Sequence, residues 1–176
     1  MAIDEAKQFV PINIAVLTVS DTRTPDNDTS GDLLADRITA AGHSLAARAI
    51  ERDDAGLLVK RMNGWIDDPA IDAVVSTGGT GLTGRDVTPE ALAMIEGRRE
   101  IPGFGELFRW ISFGTIGTST IQSRACAFVA RGTYIFALPG SNGAVKDGWD
   151  NILAEQLDAR NRPCNFVELM PRLRES

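Results

Sequence analysis

Three short runs of apolar, often β-branched residues constrain the fold of this chain more than any other feature. They cover residues 12–19, 71–77 and 134–138, and most of their positions are apolar. Runs of this kind suit strands that are buried on both faces, as the central strands of a parallel sheet are. Parallel strands need crossover connections, and helical patterns fill the segments between the runs. We therefore predict an α/β fold, a three-layer α/β/α sandwich with a mostly parallel central sheet.

The segment after the first run has the pattern of a helix. Leu33, Leu34 and Ile38 recur at helical spacing, and Gly42 stands where a helix-ending glycine would. Residues 43–50 then predict a second strand. This part of the chain therefore has the order strand, loop, helix, strand.

Further helices are indicated along the rest of the chain. Asp53 or Asp54 can cap a helix over residues 57–66. Residues 88–90, Thr-Pro-Glu, have the order of a helix start, with a hydroxyl cap followed by proline. Residues 103–130 look mainly helical. The apolar positions of a last helix are Trp149, Ile152, Leu153 and Leu157.

Composition and charge exclude several classes of protein. The 176 residues include 18 basic and 24 acidic groups, for a net charge of −6, which argues against nucleic acid as the main partner. Two cysteines and one histidine are too few for a structural zinc site. Charged residues near the start and the lack of a long apolar run predict a cytoplasmic protein without a membrane span. We expect one domain over residues 1–176, with an N-terminal arm of about residues 1–10 and a C-terminal tail of about residues 163–176.

Three polar or glycine-rich loops follow the predicted strand ends. They begin at Ser20, at Thr77 and at Pro139. In open α/β sheets ligands bind at the carboxyl ends of the strands, so we expect the three loops to face one crevice. The middle loop is rich in glycine, which lets backbone N–H groups approach an anion such as phosphate. A tight turn without a ligand would also explain these glycines.

The middle loop matches one nucleotide-binding pattern that its context rejects. Residues 79–84 satisfy G-x-G-x-x-G, but a dinucleotide-binding loop should open a helix at once and be followed by a strand with an acidic end. Here the predicted helix waits until Thr88, and the region around Glu100 shows no strand pattern. A phosphate-binding P-loop fails as well, because Arg85 and Asp86 stand where it needs Lys followed by Ser or Thr. A nicotinamide-dependent oxidoreductase is therefore disfavoured.

Asp86 lies beside this loop, where it would repel an anion unless it held a cation. Mg²⁺ resolves the conflict, because it is usually held by one or two carboxylates together with phosphate oxygens and water. Asp53 or Asp21 could supply the second carboxylate. A helix cap is the alternative role for Asp53.

Five further side chains were considered for a functional role. Ser119 and the pair Ser123-Arg124 are predicted to start a helix, where they could add donors to a phosphate or carboxylate; ordinary capping also explains the serines. His43 is expected to pack at a strand start rather than to act in catalysis. Cys126 falls in an apolar stretch taken as helical, which indicates core.

With these residues in view, the sequence resembles the MoaB/MogA family of molybdenum cofactor biosynthesis proteins, which includes the G domain of gephyrin. The resemblance covers nearly the whole chain, and the order of its motifs is highly specific. Residues 117–125 and 156–166 are most similar to the MoaB group, and the family's fold is an α/β sandwich. The shared motifs are T-V-S-D (18–21), D-T-S-G (28–31), T-G-G-T-G (77–81), R-D-V-T-P-E-A (85–91), P-G-F-G-E (102–106) and P-G-S (139–141).

The resemblance implies an enzyme that adenylylates molybdopterin. In enzymatically active members the terminal phosphate of the pterin attacks the α-phosphorus of Mg-ATP, so ATP and molybdopterin are the expected substrates and Mg²⁺ the expected cofactor. The catalytic, Mg²⁺-linked carboxylates then fall on Asp53 and Asp86. A non-catalytic carrier of molybdopterin is the alternative. The residues expected to bind the substrates are Ser20, Asp21, Thr77, Gly78, Gly79, Thr80, Gly81, Glu90, Ser119, Ser123, Pro139, Gly140 and Ser141.

Assembly is a separate expectation. Residues 104–113 contain more large apolar side chains than one amphipathic helix normally buries, so part of this segment could face another subunit, with ordinary core as the alternative. The family forms trimers, and the MoaB group pairs them into hexamers. The resemblance therefore implies a homo-oligomer, a trimer or a dimer of trimers, with other enzymes of the pathway as further candidate partners. The side chains are Phe104, Leu107, Phe108, Trp110, Ile111 and Phe113.

Overall fold

The computed structural model describes residues 3–173 and 175, and one six-stranded sheet forms its centre. The order of the strands across the sheet is β2-β1-β3-β6-β5-β4. The first four run parallel, and the pairs β6–β5 and β5–β4 are antiparallel, which confirms a mostly parallel sheet. The strands are β1 (Asn13–Val19), β2 (Ser44–Glu51), β3 (Ala73–Thr77), β4 (Arg98–Glu100), β5 (Cys126–Ala130) and β6 (Thr133–Leu138).

Helices cover both faces of this sheet. Alternate residues of β1 point to opposite faces, so Ile14 and Val16 belong to one core while Ala15 and Leu17 belong to the other. This burial on both sides explains why β1 is apolar at consecutive positions, and it confirms the α/β/α sandwich. One face carries α1 (Thr29–Ala40), α4 (Pro102–Ile116) and α5 (Asn142–Gly148), and the other carries α2 (Ala55–Ile66) and α3 (Thr88–Ala93).

The C-terminal segment packs back onto the sheet. The Tyr134 hydroxyl donates a hydrogen bond to the Phe166 carbonyl at 3.1 Å. Near the other end of the chain, Ile3 forms an isolated β-bridge with Asn161. In the described part of the chain, none of the helices is long and apolar enough to cross a membrane. The remaining elements are a π-helical turn (Trp149–Leu153), α6 (Ala154–Gln156), α7 (Phe166–Leu169) and a 3₁₀ turn (Met170–Arg172).

The prediction that residues 103–130 are mainly helical is wrong in its second half. After α4 comes a 3₁₀ helix (Gly117–Gln122), and the half-buried Cys126 then begins a strand. This strand, β5, forms a hairpin with β6 through Arg131 and Gly132, whose φ angles are 51° and 97°. Periodicity does not distinguish a short apolar strand from a buried helix, whereas a two-residue turn with glycine between two such runs indicates a hairpin.

Two smaller predictions also need correction. The region around Glu100 does form a strand, the short β4, which lies at the sheet edge with all its residues exposed and therefore has no apolar pattern. Thr88 is the first residue of α3 rather than its cap, and its hydroxyl donates to the Gly78 carbonyl at 3.0 Å. A dinucleotide-binding loop is still disfavoured, because α3 does not begin directly at Gly84 and β4 is an antiparallel edge strand.

Asp28 caps α1 and is completely buried. Its carboxylate accepts hydrogen bonds from the Gly31 amide at 3.0 Å, the Thr18 hydroxyl at 2.7 Å and the Arg48 guanidinium at 2.8 Å. Burial alone would raise the pKa of this carboxyl, but the hydrogen bonds outweigh it and hold the pKa below its ordinary value. Asp28 therefore ties the start of α1 to β1 and β2.

We expect Asp28→Ala to lower the free energy of unfolding by about 2–4 kcal/mol, because it removes the cap and leaves Thr18 and Arg48 without a partner. Since the folded pKa is lowered, this stabilisation is present above the unfolded value of about 3.9 and is lost as the pH falls towards the folded value. Urea unfolding at about pH 7 and pH 3 measures both effects. In the control Asp32→Ala, the more exposed partner of Arg48 is removed, at a cost below about 1 kcal/mol. Equal losses in the two variants would contradict the role of Asp28.

Candidate functional site

The ends of β1, β3 and β6 meet at one edge of the sheet. The Gly78 amide donates to the Leu138 carbonyl at 2.9 Å, and the Thr77 hydroxyl donates to the Pro139 carbonyl at 3.1 Å. A Cβ atom placed on Gly140 would lie only 3.1 Å from the Cα of Gly78. The loops that follow these strands therefore face one crevice, as their sequence predicts.

The glycines at the start of the middle loop are required by close packing. Gly78 and Gly79 have positive φ angles of 107° and 64°. A Cβ on Gly78 would lie 2.1 Å from the Val19 carbonyl oxygen. On Gly79 it would lie 2.4 Å from Thr88 Oγ1 and 3.0 Å from Asp53 Oδ1. A tight turn thus explains both glycines without a ligand, and the same turn brings the Asp53 carboxylate against the loop backbone.

Asp86 folds back over this loop. Its Oδ2 accepts hydrogen bonds from the backbone amide of Thr83 at 2.9 Å and from the Thr83 hydroxyl at 2.6 Å. A Cβ on Gly81 would lie 2.8 Å from the same oxygen. The Thr83 hydroxyl lowers the pKa of Asp86 more than burial raises it, so the carboxylate is ionised at neutral pH. The loop therefore carries a fixed negative charge.

Asp53 is the second carboxylate beside this loop, and its pKa is shifted in the opposite direction to that of Asp86. Burial raises its pKa, and the neighbouring carboxylates of Asp21 and Asp86 raise it further, against the opposing charge of Arg85. The role of helix cap belongs to the next residue, because Asp54 accepts a hydrogen bond from the Leu57 amide at the start of α2. The Asp53 carboxylate is thus left facing the crevice, at a cost in charge repulsion.

Ser20 and Asp21 shape the first loop and link it to the middle one. The Ser20 hydroxyl oxygen accepts from the backbone amides of Thr22 and Arg23, at 3.2 Å in each case. Arg85, from the middle loop, pairs with Asp21, its Nε 2.9 Å from Oδ2, and lowers the pKa of Asp21. The two loops are therefore joined by an ion pair across the crevice.

Arg124 holds the middle loop in place. Its guanidinium donates to the carbonyls of Gly81 and Asp86, each at 2.7 Å, and it pairs with the Glu90 carboxylate. Its backbone amide donates to the Thr80 carbonyl at 3.0 Å. We expected the Arg124 donors to be offered to a ligand, but in this structure they bind the loop carbonyls and Glu90. Arg124 therefore positions the loop backbone, and the Glu90 carboxylate pairs with it.

A cavity of about 240 Å³ adjoins the middle loop, between α4 and the start of α5. Thr80 Oγ1 is buried in its wall, in a residue that is 2% exposed, and has no hydrogen-bond partner in the described part of the chain. A buried hydroxyl without a partner costs free energy that a ligand can restore. Six of the predicted substrate-binding residues line the cavity: Thr80, Gly81, Ser119, Ser123, Pro139 and Ser141.

The serines of this cavity differ in local structure from the prediction. Ser119 belongs to the 3₁₀ helix after α4, and Ser123 follows its end, so neither begins a helix. The chain enters β5 at Cys126, shortly afterwards. Ser141 is the true cap, since its Oγ accepts from the Ala144 amide at 3.1 Å at the start of α5.

Two residues of the cavity were missed from the sequence. The Ser112 hydroxyl on α4 donates to Oδ2 of Asp147 on α5 at 2.8 Å. Asp147 follows Ser141 and Ala144 at steps of three, so helical spacing from the P-G-S motif was a usable signal for it. Ser112 had no such signal, because its role depends on how α4 packs against α5.

An open groove of about 610 Å³ lies on the other side of the crevice. It runs between the loop after β1 and the carboxyl end of β2. Because β2 and β6 lie on opposite sides of β1 and β3 in the sheet, this groove and the cavity flank the middle loop. Its lining includes Ser20, Asp21, Arg23, Arg48 and Arg52.

The Asp53 and Asp86 carboxylates both lie against the backbone of the middle loop, beside Gly79 and Gly81. Among residues 3–173 and 175, no three or more His, Cys, Asp or Glu side chains are arranged as a metal site. Mg²⁺ does not require such a cluster, because it is commonly held by one or two carboxylates together with substrate phosphates. A cation beside Asp53 would also offset the burial and repulsion that raise its pKa.

Comparison with known proteins finds relatives over nearly the whole chain. A family model described as a probable molybdopterin binding domain matches residues 15–159. Molybdenum cofactor biosynthesis protein B of Escherichia coli K12 is 50% identical over 159 residues, which cover 90% of this chain and 93% of that protein. The Bacillus subtilis protein of the same name is 41% identical over 160 residues, covering 89% and 94%.

Solved structures have the same fold. The crystal structure of a molybdenum cofactor biosynthesis protein B matches with a TM-score of 0.85 at 32% identity, and covers 97% of this chain and 100% of that one. The tungsten cofactor synthesizing protein MoaB from Pyrococcus furiosus matches with a TM-score of 0.75 at 30% identity, covering 94% and 98%. Sequence and structure thus agree on one set of relatives.

Neutralising the two carboxylates should change stability in opposite directions. Asp53→Asn removes a charge that burial and its neighbours disfavour, so we expect the Tm at pH 7 to rise by about 1–3 °C after allowance for solvent screening. Because the folded pKa of Asp53 is raised, this gain shrinks as the pH falls through that pKa and the wild-type carboxyl takes up a proton. Asp86→Asn removes a negative charge that the hydrogen bonds from Thr83 favour, so these bonds become weaker and the Tm should fall. Calorimetry from about pH 4 to pH 8 distinguishes the two, and a shift of the same sign in both variants would refute this electrostatic assignment.

Proposed function

This chain belongs to the molybdenum cofactor biosynthesis protein B family and has a role in the biosynthesis of that cofactor, and on that premise we propose that it adenylylates molybdopterin. The terminal phosphate of molybdopterin would be joined to AMP from Mg-ATP, with release of pyrophosphate, in the cytoplasm, where ATP is made and used. The observation that carries the proposal is the middle loop, in which glycine backbone is flanked by Asp53 and Asp86 at the meeting point of three strand ends.

The cavity beside the middle loop supports binding of the pterin ring. Its volume of about 240 Å³ is below the range of roughly 300–1,000 Å³ for sites that enclose a whole drug-sized ligand, so it suits one flat group with the rest of the substrate outside. Phe108 and Ile116 give the cavity apolar walls. The Thr80 hydroxyl lies in the cavity wall next to Gly81 and has no hydrogen-bond partner among the described residues.

The middle loop supports binding of phosphate. Its glycine backbone is open to close approach, and Asp53 and Asp86 stand beside Gly79 and Gly81. Mg²⁺ held by these two carboxylates would neutralise phosphate charge. The Mg²⁺ that accompanies ATP would then offset the repulsion between an anionic substrate and the two carboxylates.

The groove on the other side of the loop supports binding of ATP. Arg23 and Arg52 line it, and guanidinium groups pair well with phosphate oxygens. Because the groove and the cavity flank the middle loop, a nucleotide in one and a pterin in the other would bring their phosphates together over the loop. Such a meeting point is what transfer between two bound substrates requires.

The reaction asks the protein for positioning more than for covalent chemistry. A terminal phosphate oxygen of molybdopterin forms the new bond to the α-phosphorus of ATP, and the bond from that phosphorus to the bridging oxygen breaks. Thr83 fixes the Asp86 carboxylate, and Arg124 fixes its backbone. The Asp86 carboxylate therefore needs little reorganisation during the reaction.

We further infer that the protein is a homo-oligomer built from trimers. Phe104 and Phe108 of α4 are buried in the core, so packing within the chain accounts for the apolar side chains on only one face of this helix. On its other side Trp110 is 75% exposed and Phe113 is 56% exposed, and Ile121 just beyond is 81% exposed. Large apolar side chains that cluster on a surface mark contact sites between proteins.

The direct test is incubation of the purified protein with molybdopterin, Mg²⁺ and α-labelled ATP, followed by separation of labelled AMP-pterin. We expect transfer by the wild type and a loss of about 100-fold or more in Asp86→Asn, because a carboxylate that anchors charge neutralisation is removed while the fold remains.

The matched control is Asp54→Asn, which makes the same charge change beside Asp53. It should keep near wild-type transfer, because asparagine caps a helix about as well as aspartate does. Wild-type turnover in Asp86→Asn would refute the role of Asp86. Binding of molybdopterin without any transfer by the wild type would instead establish a carrier.

Trp110→Glu tests the assembly. We expect light scattering of the wild type to give the mass of a trimer or of a dimer of trimers, and of the variant to give a smaller species, because a charge at an apolar contact is costly. Circular dichroism should remain unchanged, since the residue is exposed in the single chain. A monomer mass for the wild type would contradict the inference.

A further inference from the structure

A buried serine and a half-buried aspartate form one wall of the cavity beside the middle loop. The Ser112 hydroxyl donates to Oδ2 of Asp147 at 2.8 Å, and Ser112 itself is 2% exposed. No lysine or arginine of the described chain lines the cavity. The Asp147 carboxylate is therefore held in one orientation. Its Oδ1 and the second lone pair of its Oδ2 are available to a ligand.

We propose that Asp147 recognises the 2-amino-4-oxopyrimidine edge of the pterin and so selects pterins over their 2-oxo counterparts. The inference rests on the proposed function, which puts the pterin ring in this cavity. A pterin has an amino group at C2 next to an N–H at N3, which gives two adjacent donors on one ring edge. A carboxylate offers two acceptor oxygens in matching geometry, and hydrogen bonds to an ionised group are the stronger kind.

The position of Asp147 also fixes how the ring lies in the cavity. Ser141 is the cap of α5, at the sheet edge beside the middle loop, and Asp147 lies six residues further along the helical segment. At 1.5 Å per residue this is about 9 Å along the axis, which is comparable to the length of a two-ring heterocycle. With its pyrimidine edge at Asp147, the ring directs its phosphate-bearing side towards Thr80 and Gly81.

Comparing a pterin with its 2-oxo counterpart distinguishes hydrogen bonding by Asp147 from packing of the ring in the cavity. It has the same size and shape, but a carbonyl replaces the amino group at C2, so an acceptor would face the Asp147 carboxylate. A site built to receive a donor discriminates strongly against an analogue that lacks it, because the buried polar group is left unpaired. An asparagine at this position can turn its NH₂ group towards the carbonyl instead.

The competing explanation is that Asp147 only joins α5 to α4 through Ser112. In that case Asp147→Asn, which can still accept the Ser112 hydrogen bond, would leave both affinity and selectivity unchanged. If Asp147 only joins the two helices, the preference for the pterin over its 2-oxo counterpart will not change in Asp147→Asn. This preference therefore distinguishes recognition from a structural role. The second variant, Ser112→Ala, leaves the carboxylate in place but frees its orientation.

The experiment measures the affinity of the full-length protein for molybdopterin by equilibrium dialysis. It then measures displacement of molybdopterin by 6-hydroxymethylpterin monophosphate and by the 2-oxo counterpart of that compound. We expect Asp147→Asn to weaken molybdopterin binding by about 10- to 100-fold, and Ser112→Ala by less. The wild type should prefer the pterin phosphate by at least about 10-fold, and Asp147→Asn should lose or reverse that preference. The control Asp150→Asn changes the next acid of the same helical segment, which pairs with Arg37 outside the cavity, and should behave as the wild type.

The outcomes separate this inference from the proposed function. If the wild type binds molybdopterin and Asp147→Asn binds it equally well, the role of Asp147 is refuted and the proposed function stands. The same holds if the pterin phosphate and its 2-oxo counterpart displace molybdopterin equally or not at all. If the wild type does not bind molybdopterin, both are refuted. A circular dichroism spectrum identical to that of the wild type shows that Asp147→Asn is folded, and Ser112→Ala provides a second route to the same selectivity measurement.

Discussion

The close approach of β3 to β1 at Gly78 is the constraint on which the rest of the site depends. A side chain at this position would start 2.1 Å from the Val19 carbonyl oxygen, so only glycine lets the chain turn across the end of β1. The same turn directs the Gly78 amide to the Leu138 carbonyl at the end of β6. Three strand ends are thereby closed into one edge by backbone contacts. The carboxylates of Asp53 and Asp86 reach the next turns of the loop because Gly79 and Gly81 leave room for them.

The shape of the loop beyond that turn depends on residues distant in sequence. Arg124 binds two loop carbonyls and the Glu90 carboxylate, and it lies immediately before the antiparallel part of the sheet. The hairpin of β5 and β6 therefore does more than extend the sheet, because it delivers Ser123 to the cavity and Arg124 to the loop. A guanidinium suits this work, since its donors form a rigid fork that stays charged at every relevant pH. Arg124 thus holds the loop backbone at three carbonyls, those of Thr80, Gly81 and Asp86, without the help of a ligand.

The parts of this structure that could be predicted from sequence are those that local chemistry decides. Burial on both faces makes a strand such as β1 apolar along its length, and strand ends in a parallel sheet meet at one edge, so the three loops and their glycines were found. The short β4 was missed because an exposed edge strand has no apolar pattern, and β5 was mistaken for helix because periodicity does not classify a short buried run. Likewise, the contact of Ser112 with Asp147 and the use of the Arg124 donors depend on tertiary packing, which no local pattern contains.

The polar groups of the site divide into those satisfied within the protein and those that are not, and the division indicates where ligands belong. Some side chains are satisfied within the protein and so shape the site. The hydroxyls of Ser20 and Ser141 accept hydrogen bonds from backbone amides, and Arg124 donates to loop carbonyls and to the Glu90 carboxylate. Thr80 Oγ1 is buried and has no hydrogen-bond partner within residues 3–173 and 175, and the charge of Asp53 is disfavoured by burial and by neighbouring carboxylates. Stability is commonly exchanged for function at binding sites, so unfavourable groups beside a cavity and a loop are candidates for contact with a ligand. These groups lie around the middle loop, one in the cavity wall and one against the loop backbone. A ligand that brings a hydrogen-bonding group to the cavity wall and a divalent cation to the loop would compensate both groups, so the cavity and the loop act as parts of one site.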